Sequence, residues 1–240
     1  MAAAQAQRVA QQRAAAEHAA TFVADGMIVG LGTGSTAAFA ITALAARVRS
    51  GLRIRAIPTS RASAALAHTG GIPLTTLNAH PAIDLTIDGA DEVDPRLDVI
   101  KGRGGALLRE KIVASATRRQ VIIVDQTKIV ERLGQHTPLP VEVVPFGWKR
   151  TDHALASLSL QPQFRRAGSA PFRTDNGNFI LDCALPPTFD LHALADAIKS
   201  IVGVVEHGFF LGLTHTVVVG TDTGISVREQ KATGNLTTGT

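Results

Sequence analysis

The sequence predicts an α/β protein: a largely parallel, Rossmann-like sheet flanked by helices, with a smaller inserted α+β domain of ferredoxin-like type. Short apolar runs alternate with helix-type periodicity through the first half of the 240-residue chain. Glycine-rich turns follow some of these runs and open helices, which is typical of α/β folds. A proline-punctuated stretch, residues 137–145, then begins a different succession of elements.

The first half of the chain consists of apolar, strand-sized runs, each followed by a segment of helical periodicity. This alternation favours βα units and a parallel sheet. Gly26 and the pair Gly70-Gly71 are predicted to end the first and third helices. The predicted helices cover residues 5–24, 33–48, 61–69 and 106–117, and the predicted strands cover residues 27–31, 53–58, 83–87 and 120–124.

The second half predicts the smaller domain. Helices are expected near residues 152–158 and 191–201, and strand-like pieces near residues 164–166, 172 and 179–185. The Asn-Gly pair inside residues 174–178 is a hairpin signal.

The apolar run at residues 216–219 is expected to return to the first sheet, so the small domain would be an insertion. The expected division is residues 1–136 with 210–228 for the α/β domain and residues 137–209 for the small domain. The chain is polar and rich in Gly and Thr from Arg228 onward, so residues 229–240 are expected to form a mobile tail.

Composition excludes several classes of protein. The formal charge of +4, from 24 Lys and Arg against 20 Asp and Glu, is too mild and too dispersed for nucleic-acid binding. No apolar run approaches the roughly 20 residues needed to span a bilayer, and no secretory signal is visible. Cys183 is the sole cysteine, so no disulfide can form within the chain, and a cytoplasmic location fits. Its strand-like surroundings favour a buried structural thiol over a catalytic one.

The first candidate site is Gly30–Thr36, a glycine-rich turn between a predicted strand and a predicted helix. Backbone N–H groups at a helix start, with the hydroxyls of Thr33, Ser35 and Thr36, suit a phosphate. A dinucleotide-binding turn would need glycine at Ser35 and an acidic residue about 20 positions further on, and both are missing. A Walker A ending is missing as well. The turn therefore favours a small phosphate site over a purely structural turn.

The second candidate is Asp88–Asp94, an acidic segment directly after the predicted strand at residues 83–87. Ligands of open α/β sheets bind beyond the carboxyl ends of the strands. Crowded carboxylates repel one another unless cations or hydrogen-bond donors surround them. A solvated acidic turn or a divalent-cation loop is the alternative, although the spacing lacks the calcium-loop pattern.

The third and fourth candidates add cations and a further carboxylate. In the segment Lys101–Lys111, a glycine turn opens a helix; Lys101 could stabilise negative charge and Glu110 could move a proton. The alternative is a basic loop followed by a surface helix. Lys128 follows the predicted strand at residues 120–124, although a lone lysine there would ordinarily be a surface residue.

Taken together, these segments resemble the ribose-5-phosphate isomerase type A family. The resemblance covers about residues 8–227, and the combination of the acidic and lysine segments is its most specific part. The matching segments are Gly-Thr-Gly-Ser-Thr (32–36), Asp-Gly-Ala-Asp-Glu (88–92), Lys-Gly-Arg-Gly-Gly-Ala (101–106), Arg-Glu-Lys (109–111), Leu-Pro-Val-Glu-Val (139–143), Thr-Asp-Asn-Gly-Asn (174–178) and Gly-Val-Val-Glu-His-Gly (203–208).

The resemblance implies an aldose–ketose isomerase of the non-oxidative pentose phosphate pathway, with no cofactor and no metal. Its catalytic residues would be Glu110 as base, Lys101 as the cation that stabilises the enediolate, and Asp88 and Asp91 as proton relays. Substrate contacts would come from Thr33, Gly34, Ser35, Thr36, Asp88, Gly89, Ala90, Asp91, Lys101, Gly102, Arg103, Gly104 and Lys128. The family also implies a homodimer or homotetramer, formed through the smaller domain.

The chain departs from the family pattern at two positions. Arg103 stands where many relatives have glycine, and Gln12 lies near a position where some have a phosphate-contacting lysine. Three other functions are alternatives. A related sugar-phosphate deaminase would lack the Lys101–Glu110 pair, a non-catalytic sugar-phosphate-sensing module would carry a DNA-binding segment, and a nucleotide-dependent enzyme would need the fingerprints that are missing.

Overall fold

The structure, a computed structural model, describes residues 2–230. Within these residues the helices are α1 (Ala2–Ala20), α2 (Ser35–Arg49), α3 (Arg61–Thr69), α4 (Leu107–Ser115), α5 (Trp148–Ala156) and α6 (Leu191–Ser200), with a short 3₁₀ turn at Gln126–Lys128. The strands are β1 (Ile28–Leu31), β2 (Arg55–Pro58), β3 (Ile83–Gly89), β4 (Glu92–Val93), β5 (Val99–Ile100), β6 (Thr117–Asp125), β7 (Leu139–Val143), β8 (Gln161–Phe164), β9 (Arg166–Ala167), β10 (Ala170–Pro171), β11 (Phe179–Ala184), β12 (Val204–His207), β13 (Phe209–Phe210), β14 (Thr216–Thr221) and β15 (Gly224–Glu229).

The central sheet has the order β15-β14-β6-β3-β1-β2, and all of its pairings are parallel except that of the edge strand β15. Helices α1, α2 and α3 cover one face of this sheet, where Ala16, Val29 and Leu44 are fully buried. Helix α4 lies on the other face, where Ala114 packs against Ile122. Helices on both faces of a mostly parallel sheet confirm the predicted fold class.

The smaller unit is a four-stranded antiparallel sheet with the order β12-β7-β11-β8. Helices α5 and α6 occur between β7 and β8 and between β11 and β12, which gives the βαββαβ order of a ferredoxin-like fold. Its core contains Leu139, Leu155, Leu181 and Ile198, all fully buried. Cys183 is buried in the same core, as predicted for a structural thiol.

A third, three-stranded sheet, β13-β5-β4, was not predicted from the sequence. Its strands are two residues long, too short to give a periodic signal. Phe209 and Phe210 of β13 are both buried but join different cores. Phe209 packs in the core of the small antiparallel sheet, and Phe210 packs beneath the central sheet.

The hairpin prediction at the Asn-Gly pair is wrong. Strand β10 pairs with β9, whereas β11 pairs with β7 and β8, so the strands on either side of the turn are not partners. The segment still turns, because the N–H of Gly177 bonds to the carbonyl of Thr174. The strand-like piece predicted near Phe172 corresponds to β10, which ends one residue earlier, at Pro171.

The last described residues, up to residue 230, are more regular than expected. Strand β14 runs parallel to β6, and β15 follows it as an antiparallel edge strand in which Thr216 faces Glu229. Arg228 and Glu229 therefore belong to the sheet and not to a tail. The edge strand was missed because its residues are exposed and have no buried face to impose a pattern. The rest of the predicted tail, residues 231–240, lies outside the described residues.

Among the helices of residues 2–230, none is both long enough and apolar enough to cross a bilayer.

Candidate active site

The first wall of the site is the loop between β1 and α2. At Gly32 the chain passes so close to β3 that a Cβ atom would lie 2.1 Å from Asp88 Oδ1, so only glycine fits. Gly34 has a φ of 106° and begins α2 without a side-chain cap. The first N–H groups of α2 therefore have no intrahelical partner and are available to an anion.

Thr33 of this wall is also bonded to groups inside the protein. Its N–H donates to Asp88 Oδ1 at 3.1 Å. Its hydroxyl lies 2.7 to 3.2 Å from the hydroxyls of Thr59, Ser60 and Ser63. Part of the hydrogen-bonding capacity of the Thr33 hydroxyl is therefore used inside the protein, although Thr33 still lines the pocket. Ser35 remains exposed at the helix start.

The chemical centre is a buried cluster of one ammonium and two carboxylates from three different elements. Lys101 follows β5, Asp88 lies near the end of β3, and Glu110 lies in the first turn of α4. Lys101 Nζ is 3.0 Å from Asp88 Oδ2 and 3.2 Å from Glu110 Oε1. The relative exposures of these side chains are 2% for Lys101, 1% for Asp88 and 5% for Glu110.

Lys101 Nζ also donates to the carbonyl of Gly89, and it lies over the ring of Phe210. Glu110 Oε2, by contrast, has no hydrogen-bond partner among the described residues. A buried carboxylate oxygen without a donor is costly to keep ionised. This oxygen is therefore the one best placed to accept a proton.

Burial sets the ionisation of the cluster. It raises the pKa of Glu110 from 4.5 to about 8; Lys101 opposes this shift and Asp88 adds to it. Burial also raises the pKa of Asp88, although Lys101 and the N–H of Thr33 act in the other direction. Burial alone would lower the pKa of Lys101, but Asp88 and Glu110 more than offset it, so this pKa is raised and the ammonium stays charged.

The cluster opens into a pocket of about 450 Å³, within the range of small-molecule sites. The catalytic candidates Glu110, Lys101 and Asp91 line it, but Asp88 does not, because it lies behind Lys101. Every other residue predicted to contact substrate lines the same pocket: Thr33, Gly34, Ser35, Thr36, Gly89, Ala90, Gly102, Arg103, Gly104 and Lys128.

The acidic segment Asp88–Asp94 does not act as one unit. Asp91 Oδ2 accepts the N–H of Arg103 at 2.9 Å and so holds the glycine loop beside the pocket. Glu92 points away and accepts backbone N–H groups of residues 134–137 at 2.6 to 3.3 Å. Hydrogen bonds to separate donors thus remove the repulsion that the sequence suggested.

Helix α1 supplies a wall of the pocket of which only Gln12 was indicated by the sequence. Gln5, Arg8, Val9 and Gln12 line the pocket together with Phe39 of α2. The first four recur at positions i, i+3, i+4 and i+7, which place them on one helix face, and this spacing was the available signal.

Two of these α1 residues differ in what they can offer a ligand. Gln12 donates to Asp125 Oδ2 at 2.8 Å, so its amide is engaged. Arg8 is exposed and forms no ion pair with another residue of the described chain. Arg8 is therefore a cation available to a ligand.

The fold is that of an α/β protein whose pocket combines an uncapped helix start with a buried carboxylate–ammonium pair. Residues 55–224 match the family model described as Ribose 5-phosphate isomerase A (phosphoriboisomerase A). The chain is 54% identical over 217 residues to ribose-5-phosphate isomerase A of Gloeobacter violaceus, covering 90% of this chain and 94% of that one. It is 53% identical over 218 residues to that of Gluconobacter oxydans, covering 89% and 94%.

Solved structures agree with these sequence matches. Ribose 5-phosphate isomerase from Plasmodium falciparum superposes with a TM-score of 0.90 at 36% identity, covering 93% of this chain and 99% of that one. A D-ribose-5-phosphate isomerase in complex with phospho-erythronic acid gives 0.88 at 38% identity, covering 91% and 97%. The chain belongs to the ribose 5-phosphate isomerase A family. The predicted family and the prediction of an isomerase are confirmed.

Proposed function

We propose that this chain interconverts D-ribose 5-phosphate and D-ribulose 5-phosphate through an enediolate. The observation that carries the proposal is the buried Glu110 carboxylate, which faces a pocket for a small anion and is held 3.2 Å from Lys101 Nζ with one oxygen free. Aldose–ketose isomerisation removes a proton from C2 and returns one to C1. A single carboxylate on one face of the substrate can carry out both transfers.

The ionisation of Glu110 suits this task. A base that must take a proton and give it back works best when its pKa lies near the working pH. Burial raises the pKa of Glu110 to about 8, so the group can hold the proton and also release it. Its position in the first turn of α4 partly compensates for burial of the charge, because the helix N-terminus favours an anion.

Lys101 stabilises the negative charge that develops on the substrate oxygen, as a fixed cation in a buried site can do without reorganising. Asp88 holds Lys101 from behind at 3.0 Å and does not line the pocket, so it acts through Lys101. Asp91 does line the pocket and is the carboxylate that can relay protons between the sugar oxygens.

The phosphate binds at the other wall of the pocket. The uncapped start of α2 offers N–H groups, and Ser35 and Thr36 add hydroxyls. Arg8 and Lys128 line the same pocket and supply cations. Binding energy from the non-reacting phosphate then orients C1 and C2 over Glu110. A related isomerase was solved in complex with phospho-erythronic acid, so one relative binds a small acid that carries a phosphate.

The Lys101–Glu110 contact also separates this proposal from its alternatives. A non-catalytic sensing module has no need of a buried carboxylate with a raised pKa beside an ammonium, and the family model and the relatives from Gloeobacter violaceus and Gluconobacter oxydans are isomerases and not deaminases. The isomerase is therefore the function that the geometry favours.

The test is formation of the ketose from ribose 5-phosphate in the presence of EDTA, comparing the wild-type chain with Glu110→Gln. The wild type should be active, since no step requires a metal. The variant should lose several orders of magnitude in kcat, beyond the roughly 10²–10⁴-fold assigned to general base catalysis alone. Exposed Glu131 provides a matched control, and Glu131→Gln should behave as the wild type. Near-normal turnover by Glu110→Gln would reject Glu110 as the base.

We further propose that the chain forms at least a homodimer through the small unit, residues 137–209. Phe146 is 93% exposed and Val202 is 94% exposed. Their segments are joined by a bond of 2.9 Å from the Val144 N–H to the Gly203 carbonyl, so the two exposed apolar side chains lie on neighbouring segments. A second copy of the chain would remove these side chains from water. Light scattering should give a dimer or larger assembly, and a smaller one for Phe146→Ser with Val202→Ser.

We also propose a cytoplasmic location. The single buried Cys183 cannot form an internal disulfide, so the fold needs no oxidising compartment. Fractionation of the producing cells tests this, and recovery outside the cytoplasm would contradict it.

A further inference from the structure

We propose that Arg109 and Lys111, the two cations on either side of Glu110 in the sequence, are positioning residues. They fasten α4 to the small antiparallel unit and thereby fix the direction of the Glu110 carboxylate. The inference rests on the proposed role of Glu110 as the base. Neither Arg109 nor Lys111 lines the pocket, so neither acts on substrate directly.

Arg109 contacts the turn at residues 174–178 through all three nitrogens of its guanidinium. Its Nε donates to Asn176 Oδ1 at 2.9 Å, and its Nη2 donates to the Asp175 carbonyl at 3.3 Å. Its Nη1 lies 3.7 Å from the Asp175 carboxylate. A planar fork with several partners fixes direction as well as distance, which a single charge would not do.

That turn is itself held from below by a buried carboxylate. Glu142 of β7 is fully buried, and its Oε1 accepts bonds from Thr174 Oγ1 at 2.9 Å, Asn178 Nδ2 at 2.8 Å and Asn176 Nδ2 at 3.3 Å. Charge-assisted bonds of this kind are stronger than neutral ones. The turn is therefore a firm attachment point, which gives the Thr-Asp-Asn-Gly-Asn segment a role other than that of a hairpin.

Lys111 makes the second attachment, to strand β12. Its Nζ donates to Glu206 Oε1 at 2.8 Å and to the His207 carbonyl at 2.7 Å, and it lies 4.9 Å from the centre of the Phe210 ring. The other oxygen of Glu206 accepts a bond of 2.8 Å from Lys199. Glu206 thus binds a lysine with each of its two oxygens. Its pair with Lys111 is largely buried and connects α4 to the small unit.

Helix geometry explains why two attachments are needed. Residues 109 and 111 are separated by roughly 200° around a helix with about 3.6 residues per turn. A rotation of α4 that relaxes one attachment therefore strains the other, and Glu110 lies between them. The helix is only nine residues long and has no side-chain N-cap, so it has little stability of its own.

The test compares Lys111→Met with Lys199→Met. Both substitutions remove one cation from Glu206, but only Lys111 belongs to α4. Because a displacement of about 1 Å at a reacting group can cost about 10²-fold, we expect Lys111→Met to lower kcat by about 10- to 100-fold. KM should change by less than about threefold, because the phosphate wall is untouched. Lys199→Met should keep the kcat of the wild type within about twofold, and Lys111→Arg should restore most of the lost activity.

Asn176→Ala tests the Arg109 attachment without changing α4 at all. Asn176 is exposed and lies outside the pocket, so the variant is expected to fold. It should lower kcat with little change in KM. The matched control is Arg118→Met, which breaks a surface ion pair with Asp84 that does not involve α4.

The outcomes separate the two proposals. A wild-type chain without isomerase activity would overturn the proposed function. An active wild type with equal kcat in Lys111→Met and Lys199→Met, and in Asn176→Ala and Arg118→Met, would overturn the positioning role and leave the proposed function standing. Should Lys111→Met fail to fold, the Asn176→Ala comparison decides the question.

Discussion

Replacing Glu110 by glutamine should remove activity and, in alkaline solution, make the protein more stable. Glu110 is 5% exposed, and one of its carboxylate oxygens has no hydrogen-bond partner within residues 2–230. Keeping this carboxylate ionised in the folded protein therefore costs free energy, because the charge is buried. Glutamine has nearly the same shape and never carries the charge, so the substitution isolates that cost.

The size of the change in the free energy of unfolding follows from the pKa of Glu110. Burial raises the pKa of Glu110 from 4.5 to about 8, so between those pH values the folded chain binds more protons than the unfolded chain. The free energy of unfolding therefore falls as the pH rises through this window. Since one pKa unit is worth about 1.4 kcal/mol, the loss is on the order of 3 to 5 kcal/mol, the lower figure applying if Asp88 shares the proton.

The assay is urea unfolding of the wild type and of Glu110→Gln at pH 5, 7 and 9. The two free energies should agree within about 1 kcal/mol at pH 5 and separate in favour of the variant as the pH rises, by on the order of 3 to 5 kcal/mol at pH 9. Glu131→Gln, at an exposed position, should follow the wild type throughout. Parallel curves for the wild type and Glu110→Gln would refute the reasoning that burial raises this pKa.

Three further predictions concern the pocket. Because the pKa of Glu110 is raised to about 8, kcat/KM should climb with pH up to about 8 and level off above it; a plateau already reached at pH 6 would contradict this. Arg8→Ala should raise KM by on the order of tenfold, less so at high salt, with kcat little changed, whereas Arg49→Ala at the far end of α2 should have no effect. Gly32→Ala would place a Cβ 2.5 Å from the backbone of Asp88, and we expect a loss of about 3 kcal/mol or more in the free energy of unfolding by urea.

The parts of the fold that could be predicted from the sequence are those with a buried pattern. Strands β1, β3 and β6 contain apolar runs and lie in a sheet covered on both faces, so their composition predicts buried strands. The edge strand β15 is exposed throughout and the strands of the three-stranded sheet are two residues long, so neither leaves a periodic trace. The Asn-Gly turn was misread because its polar side chains serve buried Glu142, a contact with a residue far away in the sequence.

The site was predictable where its residues follow strand ends or open helices. The loop after β1, the end of β3 and the start of α4 meet because the sheet order brings these elements together. Hydrogen bonds inside the protein could not be predicted, so nothing in the sequence shows that the Thr33 hydroxyl, expected to contact phosphate, is also bonded to Thr59 and Ser60. The α1 face was missed apart from Gln12, because Arg8 belongs to no local motif and only packing places it beside the pocket.

The division of Phe209 and Phe210 between two cores has a consequence for how the molecule moves. Consecutive residues of one short strand cannot separate, so the large and small units are fixed to each other as firmly as the interior of either one. A hinge between them would have to expose an aromatic ring to water. We therefore expect substrate to enter by rearrangement of long side chains at the pocket mouth, such as Arg8 and Arg103, while the two units remain a single body.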